Sequence, residues 1–269
     1  MKIPSRPIFV TLGLLAIINI IGIDVYGVTS HFSGECSGNI ARVRLQGSLV
    51  TYITPDALDN QGYINVDQTA SEDIVKSLKD ADEDTDVEAI ILEIDSTGGT
   101  PVAAEEVAKA LKASNKPTVA LIREYGDSAA YWSATGASRI FASNNSDVGS
   151  IGVTMSYLDY SKKNTKDGIL YQQISSGKFK DAGDPNKPLT DEERKYFERD
   201  VALLNENFIK TVSSNRNLDI EKVRAMADGS SMLGQMALEK GLIDEIGGLT
   251  EVKNYFKSKL KVDPKVCEY

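Results

Sequence analysis

The stretch Tyr125–Trp132, with the sequence YGDSAAYW, carries a serine whose surroundings fit nucleophilic chemistry. Ser128 lies among small residues, between a strand-like run and a helix-like run, which predicts its hydroxyl at the first turn of a helix. Free backbone N–H groups and the helix dipole favour developing negative charge at that position. Two roles stay open on these residues alone: an N-cap hydroxyl, the common role of such a serine, and a nucleophile.

The composition limits the choice of a base for this serine. The chain contains one histidine, His31, which directly follows the N-terminal apolar segment and lies outside any strand or helix pattern. A Ser-His-Asp triad needs its imidazole buried beside the serine and held by a carboxylate, so His31 is a poor candidate. If Ser128 is a nucleophile, a lysine that burial makes neutral is the main remaining choice of base.

Backbone donors for an oxyanion are predicted beside Ser128. The N–H of Ala129 is one, because it belongs to the first turn of the predicted helix. The turn after the neighbouring strand supplies Gly98 or Gly99 as another, since glycine lets two backbones approach closely. The sequence therefore predicts an acyl-transfer site if the nucleophile role is correct.

Alternating strand and helix patterns place both turns at one edge of a sheet. Strands are predicted at Ile40–Val50, Val87–Ile94 and Thr118–Ile122, with helices from Ser71 and over Thr100–Ser114 between them. The apolar runs of the second and third strands are typical of strands buried on both faces of a parallel sheet. Right-handed crossovers and an α/β fold follow, and ligands of such sheets bind at the carboxyl ends of the strands.

The second half of the chain predicts further strands and a run of helices. A capping box at Thr190–Glu193 starts a long helix that reaches about Ser214. The other predicted strands are Ile140–Ala142, Gly149–Val153 and Gly168–Ile174, and the other predicted helices are Ile220–Ala227, Leu233–Lys240 and Thr250–Leu260.

The N-terminus predicts a membrane anchor or a cleaved signal peptide. Lys2 and Arg6 precede the uncharged run Ile8–Ile23, which is slightly short for a spanning helix unless the next residues contribute. In both cases the positive residues are expected in the cytoplasm and the catalytic domain on the extracytoplasmic side of the cell membrane. The predicted organisation is an anchor at 1–27, a linker at 28–38, a catalytic domain at 39–262 and a tail at 263–269.

Charge and cysteine content exclude other classes of function. A net charge of -9 and a pI near 4.8 argue against a nucleic-acid partner, because phosphate contacts need clustered Lys and Arg. Cys36 and Cys267 bracket the globular part without metal-ligand spacing, so no metal and no cofactor are predicted. In an exported protein the two cysteines pair or stay as free thiols, and both alternatives are open.

Four segments in order resemble the signal peptide peptidase (SppA) family of Ser-Lys serine peptidases. They are Asp95–Gly99 (DSTGG), Asp127–Trp132 (DSAAYW), Gly149–Val153 (GSIGV) and Ser176–Asp181 (SGKFKD). The resemblance runs from about Ile40 to Tyr255. It implies the fold that this family shares with ClpP and crotonase proteins, a parallel sheet with flanking helices.

The resemblance also implies a role for each matching residue. Ser128 takes the position of the nucleophile, and Lys180 takes that of the general base. Lys178 takes the base position instead if the alignment of this segment is shifted. Ser150 is similar to the serine that hydrogen-bonds the base lysine in that family. Short, single-domain members are ring-shaped oligomers whose serine and lysine come from neighbouring subunits, so the same homo-oligomeric arrangement is expected.

The departures from the family pattern concern the same stretch. Ala129 and Ala130 replace two glycines, and Thr97 replaces a proline. Each alanine keeps its N–H, but its methyl group narrows the space for substrate. Asp127 places a carboxylate beside the nucleophile, and a nearby carboxylate favours the charged form of a lysine.

The resulting hypothesis is a membrane-associated Ser-Lys endopeptidase that cleaves hydrophobic peptides such as released signal peptides. An inactive oligomeric scaffold with the same fold is the alternative, because of Asp127 and the two alanines. A crotonase-type acyl-CoA enzyme would have the predicted fold. It would not account for the expected export, and it would give Ser128 and Lys180 no common role.

Overall fold

The structure is a computed structural model that describes residues 37–53 and 67–269. The predicted anchor at 1–27 and most of the linker lie outside the described residues. Within the described part of the chain, no helix is both long and apolar enough to cross a membrane.

The strands of the described residues form one sheet, in which one pair is antiparallel and the other pairs are parallel. They are β1 (Ile40–Val50), β2 (Gln68–Ala70), β3 (Ala89–Gly99), β4 (Thr118–Asp127), β5 (Arg139–Ala142), β6 (Asp147–Gly149), β7 (Ser231–Leu233), β8 (Glu245–Ile246) and β9 (Val266–Glu268). The main order is β2-β1-β3-β4-β5-β8, and β6 pairs with β4 and, antiparallel, with β7. The predicted α/β fold with a mostly parallel sheet is confirmed.

The helices follow the predicted order, apart from a short helix at Ser161–Lys166 that was not predicted. They are α1 (Ser71–Glu83), α2 (Pro101–Ala113), α3 (Ala129–Ala134), α4 (Ser161–Lys166), α5 (Asp191–Arg216), α6 (Ile220–Met226), α7 (Gly234–Lys240) and α8 (Leu249–Leu260). The predicted capping box starts α5: Glu193 N–H donates to Thr190 Oγ1 at 3.2 Å, and Thr190 N–H donates to Glu193 Oε2 at 2.9 Å.

Strand β3 shows why its sequence is almost continuously apolar. Ile90 and Leu92 belong to the larger core cluster, which also contains residues of α1, α2, α3 and α5. Ile91 belongs to the smaller cluster on the other face, against Phe256 of α8. Since successive side chains of a strand point to opposite faces, only a strand covered on both sides needs such a run.

Strand β4 carries the predicted nucleophile at its end. Its first half, Val119–Ile122, pairs with β5, and its second half, Tyr125–Asp127, pairs with β6. The strand was predicted to end at Ile122. It continues because β6 offers a second set of backbone partners, which lets the strand reach Ser128.

Two predicted strands are wrong. β6 ends at Gly149 because Ser150 leaves the extended region with φ 47°. Residues 168–174 form no strand, and no strand of the described residues lies beside them in the sheet. The exposed fractions of Leu170 and Ile174 are 78% and 99%, so the apolar pattern reflects side chains that the single chain leaves uncovered.

The segment predicted as a C-terminal tail contains β9. This strand pairs in parallel with Ile40–Arg42 of β1. Glu268 accepts hydrogen bonds from Arg42 and Arg44, the latter at 3.0 Å, and Cys267 is disulfide-bonded. The chain's other cysteine, Cys36, lies outside the described residues. The last residues are therefore part of the sheet.

Candidate active site

Ser128 sits on a sharp turn between β4 and α3. Its backbone has φ 51° and ψ -123°, a left-handed region that costs a residue other than glycine about 1–3 kcal/mol. Its N–H donates to the carbonyl of Gly149 at 2.8 Å, and its own carbonyl accepts from Trp132 N–H at 2.9 Å. The side chain makes no capping hydrogen bond to α3, so the N-cap role lacks the contact that defines it.

Ser150 occupies the equivalent place at the end of the neighbouring strand. It follows β6 directly and also has a positive φ, 47°. Its Oγ donates to the carbonyl of Gly229 at 3.0 Å, and Gly229 N–H donates to the carbonyl of Ile151 at 3.1 Å. Because Ser128 N–H bonds to Gly149, the two strained serines end adjacent strands side by side.

Gly98 packs directly against the Ser128 turn. It has φ 119°, and a Cβ added to it would lie 2.8 Å from Ser128 Cβ and 3.2 Å from Ala129 N. Only glycine fits this approach without a shift of the neighbouring backbone. The glycine turn of β3 therefore borders the space that an oxyanion beside Ala129 would occupy.

The two glycines of this turn have different hydrogen bonds. The N–H of Gly98 donates to Ser96 Oγ at 3.1 Å, so it is already engaged. Thr100 N–H donates to the carbonyl of Leu49 at 2.9 Å, and successive N–H groups of a strand point to opposite sides. Gly99 thus directs its N–H away from β1, and it lines the cavity at Ser128. Ala129 and Gly99 therefore line the cavity beside Ser128, whereas the N–H of Gly98 is engaged with Ser96.

Ser128 and Ser150 open onto a cavity of about 1100 Å³. One wall is the segment after Ser150, and another is α5. The apolar side chains that line it include Trp132, Val153, Met155, Val201, Leu204 and Phe208. Apolar spacing on a helix such as α5 serves packing and ligand binding equally well, so the sequence alone does not distinguish the two.

Lys180 is not brought to Ser128 within one chain. It lies in the turns at 177–184, it is exposed, and it is absent from the cavity lining. Its side chain makes no hydrogen bond or ion pair with the described residues. The structure therefore joins Ser128, Ala129, Gly99 and Ser150 at one site and leaves Lys180 outside it.

The neighbours of Lys180 are all engaged with other parts of the chain. Lys178 forms an ion pair with Glu192 of α5 at 2.6 Å. Phe179 stacks on Tyr196 with ring centroids 5.3 Å apart, and Asp181 accepts hydrogen bonds from the phenol of Tyr171 at 2.8 and 2.9 Å. These contacts hold the loop against α5 and leave Lys180 pointing to solvent.

Asp127, directly before Ser128, is a carboxylic acid in an unfavourable place. Its Oδ1 atom is buried and has no hydrogen-bond partner among the described residues. Desolvation, and next the negative charge of Asp147, raise the pKa of Asp127 to about 6. The site therefore carries one carboxyl group that is protonated in mildly acidic solution.

Asp127→Asn is expected to stabilise the protein at pH 8 and to have no such effect at pH 4. A carboxyl with a raised pKa in the folded state favours folding when protonated, so stability is lost as the pH rises from about 4 through about 6. The amide removes this penalty, which we put at about 1 kcal/mol because the group is half-exposed and screened. The melting temperature should rise by about 2–4 °C at pH 8.

The control for this measurement is Asp86→Asn, which changes an exposed aspartate away from the site. It should leave the melting temperature unchanged at both pH values. An equal gain for Asp127→Asn at pH 4 and pH 8 would contradict the proposed origin of the effect.

The His, Cys, Asp and Glu side chains of residues 37–53 and 67–269 form no cluster that could hold a metal ion.

Comparisons with known proteins match the chain to one family and to named relatives. The sequence model of "Peptidase family S49" matches residues 110–263. The "Putative protease MJ0651" of Methanocaldococcus jannaschii is 33% identical over 72% of this chain and 64% of its own length. The "Putative signal peptide peptidase SppA" of Enterococcus faecium is 31% identical over 76% of this chain and 60% of its own length. The chain thus spans less than two thirds of the length of each of these relatives.

Among solved structures, a ClpP1 mutant from Listeria monocytogenes matches with a TM-score of 0.48 at 13% identity, over 78% of this chain and 92% of that one.

Proposed function

Because the chain belongs to peptidase family S49, we propose that it is a serine endopeptidase with Ser128 as its nucleophile. The observation that carries the proposal is the strained Ser128 turn, which directs the residue into a cavity beside Ala129 N–H and the Gly98–Gly99 turn. Strain of this kind persists where a site requires it.

The general base in this proposal is Lys180, supplied by a neighbouring subunit. A lysine acts as a base only in its neutral form, which burial favours. Lys180 is exposed in the single chain, so the burial has to come from a second copy. Lys178, the other candidate, is held as a charged partner of Glu192, which supports Lys180.

Exposed apolar side chains on the arm that carries Lys180 support an oligomer. We name residues 154–180 the arm; its exposed fractions include 64% for Leu158, 78% for Leu170 and 99% for Ile174. Apolar side chains gathered on one segment are typical of a protein contact. We propose a ring-shaped homo-oligomer in which the arm of one subunit covers the site of the next.

The proposed substrates are hydrophobic peptides such as released signal peptides, because the cavity walls are mainly apolar. We also propose that the N-terminal segment holds the protein at the cell membrane, with the catalytic domain on the extracytoplasmic side. The apolar run Ile8–Ile23 after Lys2 and Arg6 supports this location.

The mechanism that follows is acyl transfer. Neutral Lys180 accepts the proton of Ser128, whose Oγ forms a bond to the peptide carbonyl carbon while the C=O π electrons move to the oxygen. The N–H groups of Ala129 and Gly99 stabilise that oxyanion. The peptide C–N bond then breaks, the amine leaves with the proton from Lys180, and water hydrolyses the acyl-enzyme by the same steps.

A fluorophosphonate probe tests the proposed nucleophile directly. The full-length chain in detergent should be labelled, and Ser128→Ala should remove the label completely, because the probe bonds only to an activated serine. Ser156→Ala, which changes another serine of the same cavity, is the matched control and should be labelled as the wild type is. A wild-type chain that stays unlabelled would favour the inactive scaffold, and a label that survives Ser128→Ala would contradict the assignment.

A further inference from the structure

We propose that the backbone carbonyl of Gly229 is a positioning group that fixes Ser150 as a hydrogen-bond acceptor for the base lysine. The inference rests on the proposed function and concerns the orientation of its base. Its starting point is the contact of Ser150 Oγ with the carbonyl of Gly229 at 3.0 Å, in a loop that the sequence did not connect to the site.

The hydrogen-bonding capacity of a hydroxyl gives this contact its meaning. A serine hydroxyl has one proton to donate and two lone pairs that accept. A carbonyl oxygen has no proton, so in the contact with Gly229 the Ser150 hydroxyl must be the donor. Its lone pairs remain available for an N–H of another group.

The base lysine needs a partner of this kind. A neutral amine has one lone pair, which must face the Ser128 hydroxyl if the lysine is to accept its proton. Its N–H groups must then point elsewhere, and an acceptor in the right place fixes their direction. A Ser150 hydroxyl free to rotate would donate its own proton to the amine lone pair and would compete with Ser128.

The local structure holds the Gly229 carbonyl in place from both sides. Gly229 has φ 86°, and its N–H donates to the carbonyl of Ile151 at 3.1 Å. The next residues lead into β7, where Ser231 pairs with Gly149. Donor and acceptor are therefore anchored to the same stretch of backbone, one residue after β6.

The same contact supports the charged form of the base after proton transfer. When the Ser128 proton moves to the lysine nitrogen, the ammonium gains a third N–H and loses its lone pair. Ser150 Oγ continues to accept one of these N–H groups while its own proton stays on the Gly229 carbonyl. No proton leaves Ser150 or Gly229, so both are positioning groups and neither is a catalytic acid or base.

Gly229→Ala tests the proposal with Gly241→Ala as its matched control. Both glycines have a positive φ, 86° and 80°, and an added Cβ meets no atom within 4 Å at Gly229 and only the flexible Leu218 side chain, at 3.1 Å, at Gly241, so the backbone strain of the two variants is similar. Gly241 lies outside both the cavity lining and the arm, whereas Gly229 is part of the lining. The measurement is hydrolysis of a fluorogenic peptide with leucine before the scissile bond, by the full-length chain in detergent, over a range of pH.

Gly229→Ala should lower the plateau kcat/KM about tenfold, the size of one lost hydrogen bond, and move the acid limb of the pH profile to lower pH. The acid limb moves to lower pH because the ammonium form of the base lysine loses a hydrogen-bond acceptor. Gly241→Ala should change neither quantity, although both variants should lose similar thermal stability. Gly229→Asn should restore part of the rate, since asparagine tolerates positive φ better than alanine.

A double-mutant cycle with Ser150→Ala separates the proposed coupling from a structural effect. With Ser150 already absent, Gly229→Ala should reduce kcat/KM less than about twofold, because the carbonyl has no hydroxyl left to orient. Additive losses, or an unshifted acid limb in Gly229→Ala, would overturn the inference while the proposed function stands. A wild-type chain that does not hydrolyse the peptide would overturn the proposed function itself.

Discussion

Mixing Ser128→Ala subunits with Lys180→Ala subunits is expected to restore peptide hydrolysis that neither variant shows alone. Each single variant should lose about 10⁴-fold or more in kcat, because nucleophile and base act as one unit. In a random mixture, a site that takes its serine from one subunit and its lysine from the next is complete in about a quarter of cases. The reason for this expectation is that Lys180 is exposed, has no partner among residues 37–53 and 67–269, and is absent from the lining of the cavity at Ser128.

Lys178→Ala is the matched control, since it removes a lysine two residues away that is paired with Glu192. It should keep most of the activity. Full activity in Lys180→Ala together with loss of activity in Lys178→Ala would show that Lys178, and not Lys180, is the general base. Mixed oligomers without any recovery would contradict a site shared between subunits, provided that subunit exchange is verified by native mass spectrometry.

Gly98→Ala is expected to reduce kcat by about 10²–10³-fold. An added Cβ lies 2.8 Å from Ser128 Cβ and 3.2 Å from Ala129 N, and φ is 119°, so the turn must move. That movement displaces the donors that would stabilise the oxyanion. Peptide hydrolysis and the rate of fluorophosphonate labelling should fall together.

The Gly241→Ala variant again provides the comparison for backbone strain alone, because Gly241 lies outside the cavity lining and the arm and its added Cβ meets only the side chain of Leu218. Its kcat should equal that of the wild type. If Gly98→Ala keeps more than about half of the wild-type kcat, the close approach of this turn does not form an oxyanion site.

The order of strands and helices could be predicted because it depends on local patterns. The apolar run around Ile90–Ile94 and the capping box at Thr190–Glu193 each determine one element within a few residues. The path after Gly149 was wrong because Ser150 turns with φ 47° and no strand of the described residues pairs with residues 150–153. A glycine-bounded apolar segment does not reveal whether such partners exist.

The candidate site was predictable in its residue types and only partly in its geometry. Ser128, Ala129 and Gly99 meet as expected because they follow adjacent parallel strands. The engagement of Gly98 N–H with Ser96 and the contact of Ser150 with Gly229 depend on backbone angles that the sequence does not encode locally. The Asp-Gly pair at 228–229 indicated a turn, but no signal connected that turn to Ser150.

The positive φ angles of Ser128 and Ser150, 51° and 47°, have a consequence for how this chain can change over generations. Glycine adopts such angles without penalty, so replacing either serine by glycine should make the folded chain more stable. A serine at either position is therefore expected to persist in related chains only where its hydroxyl has a role, as we propose for both.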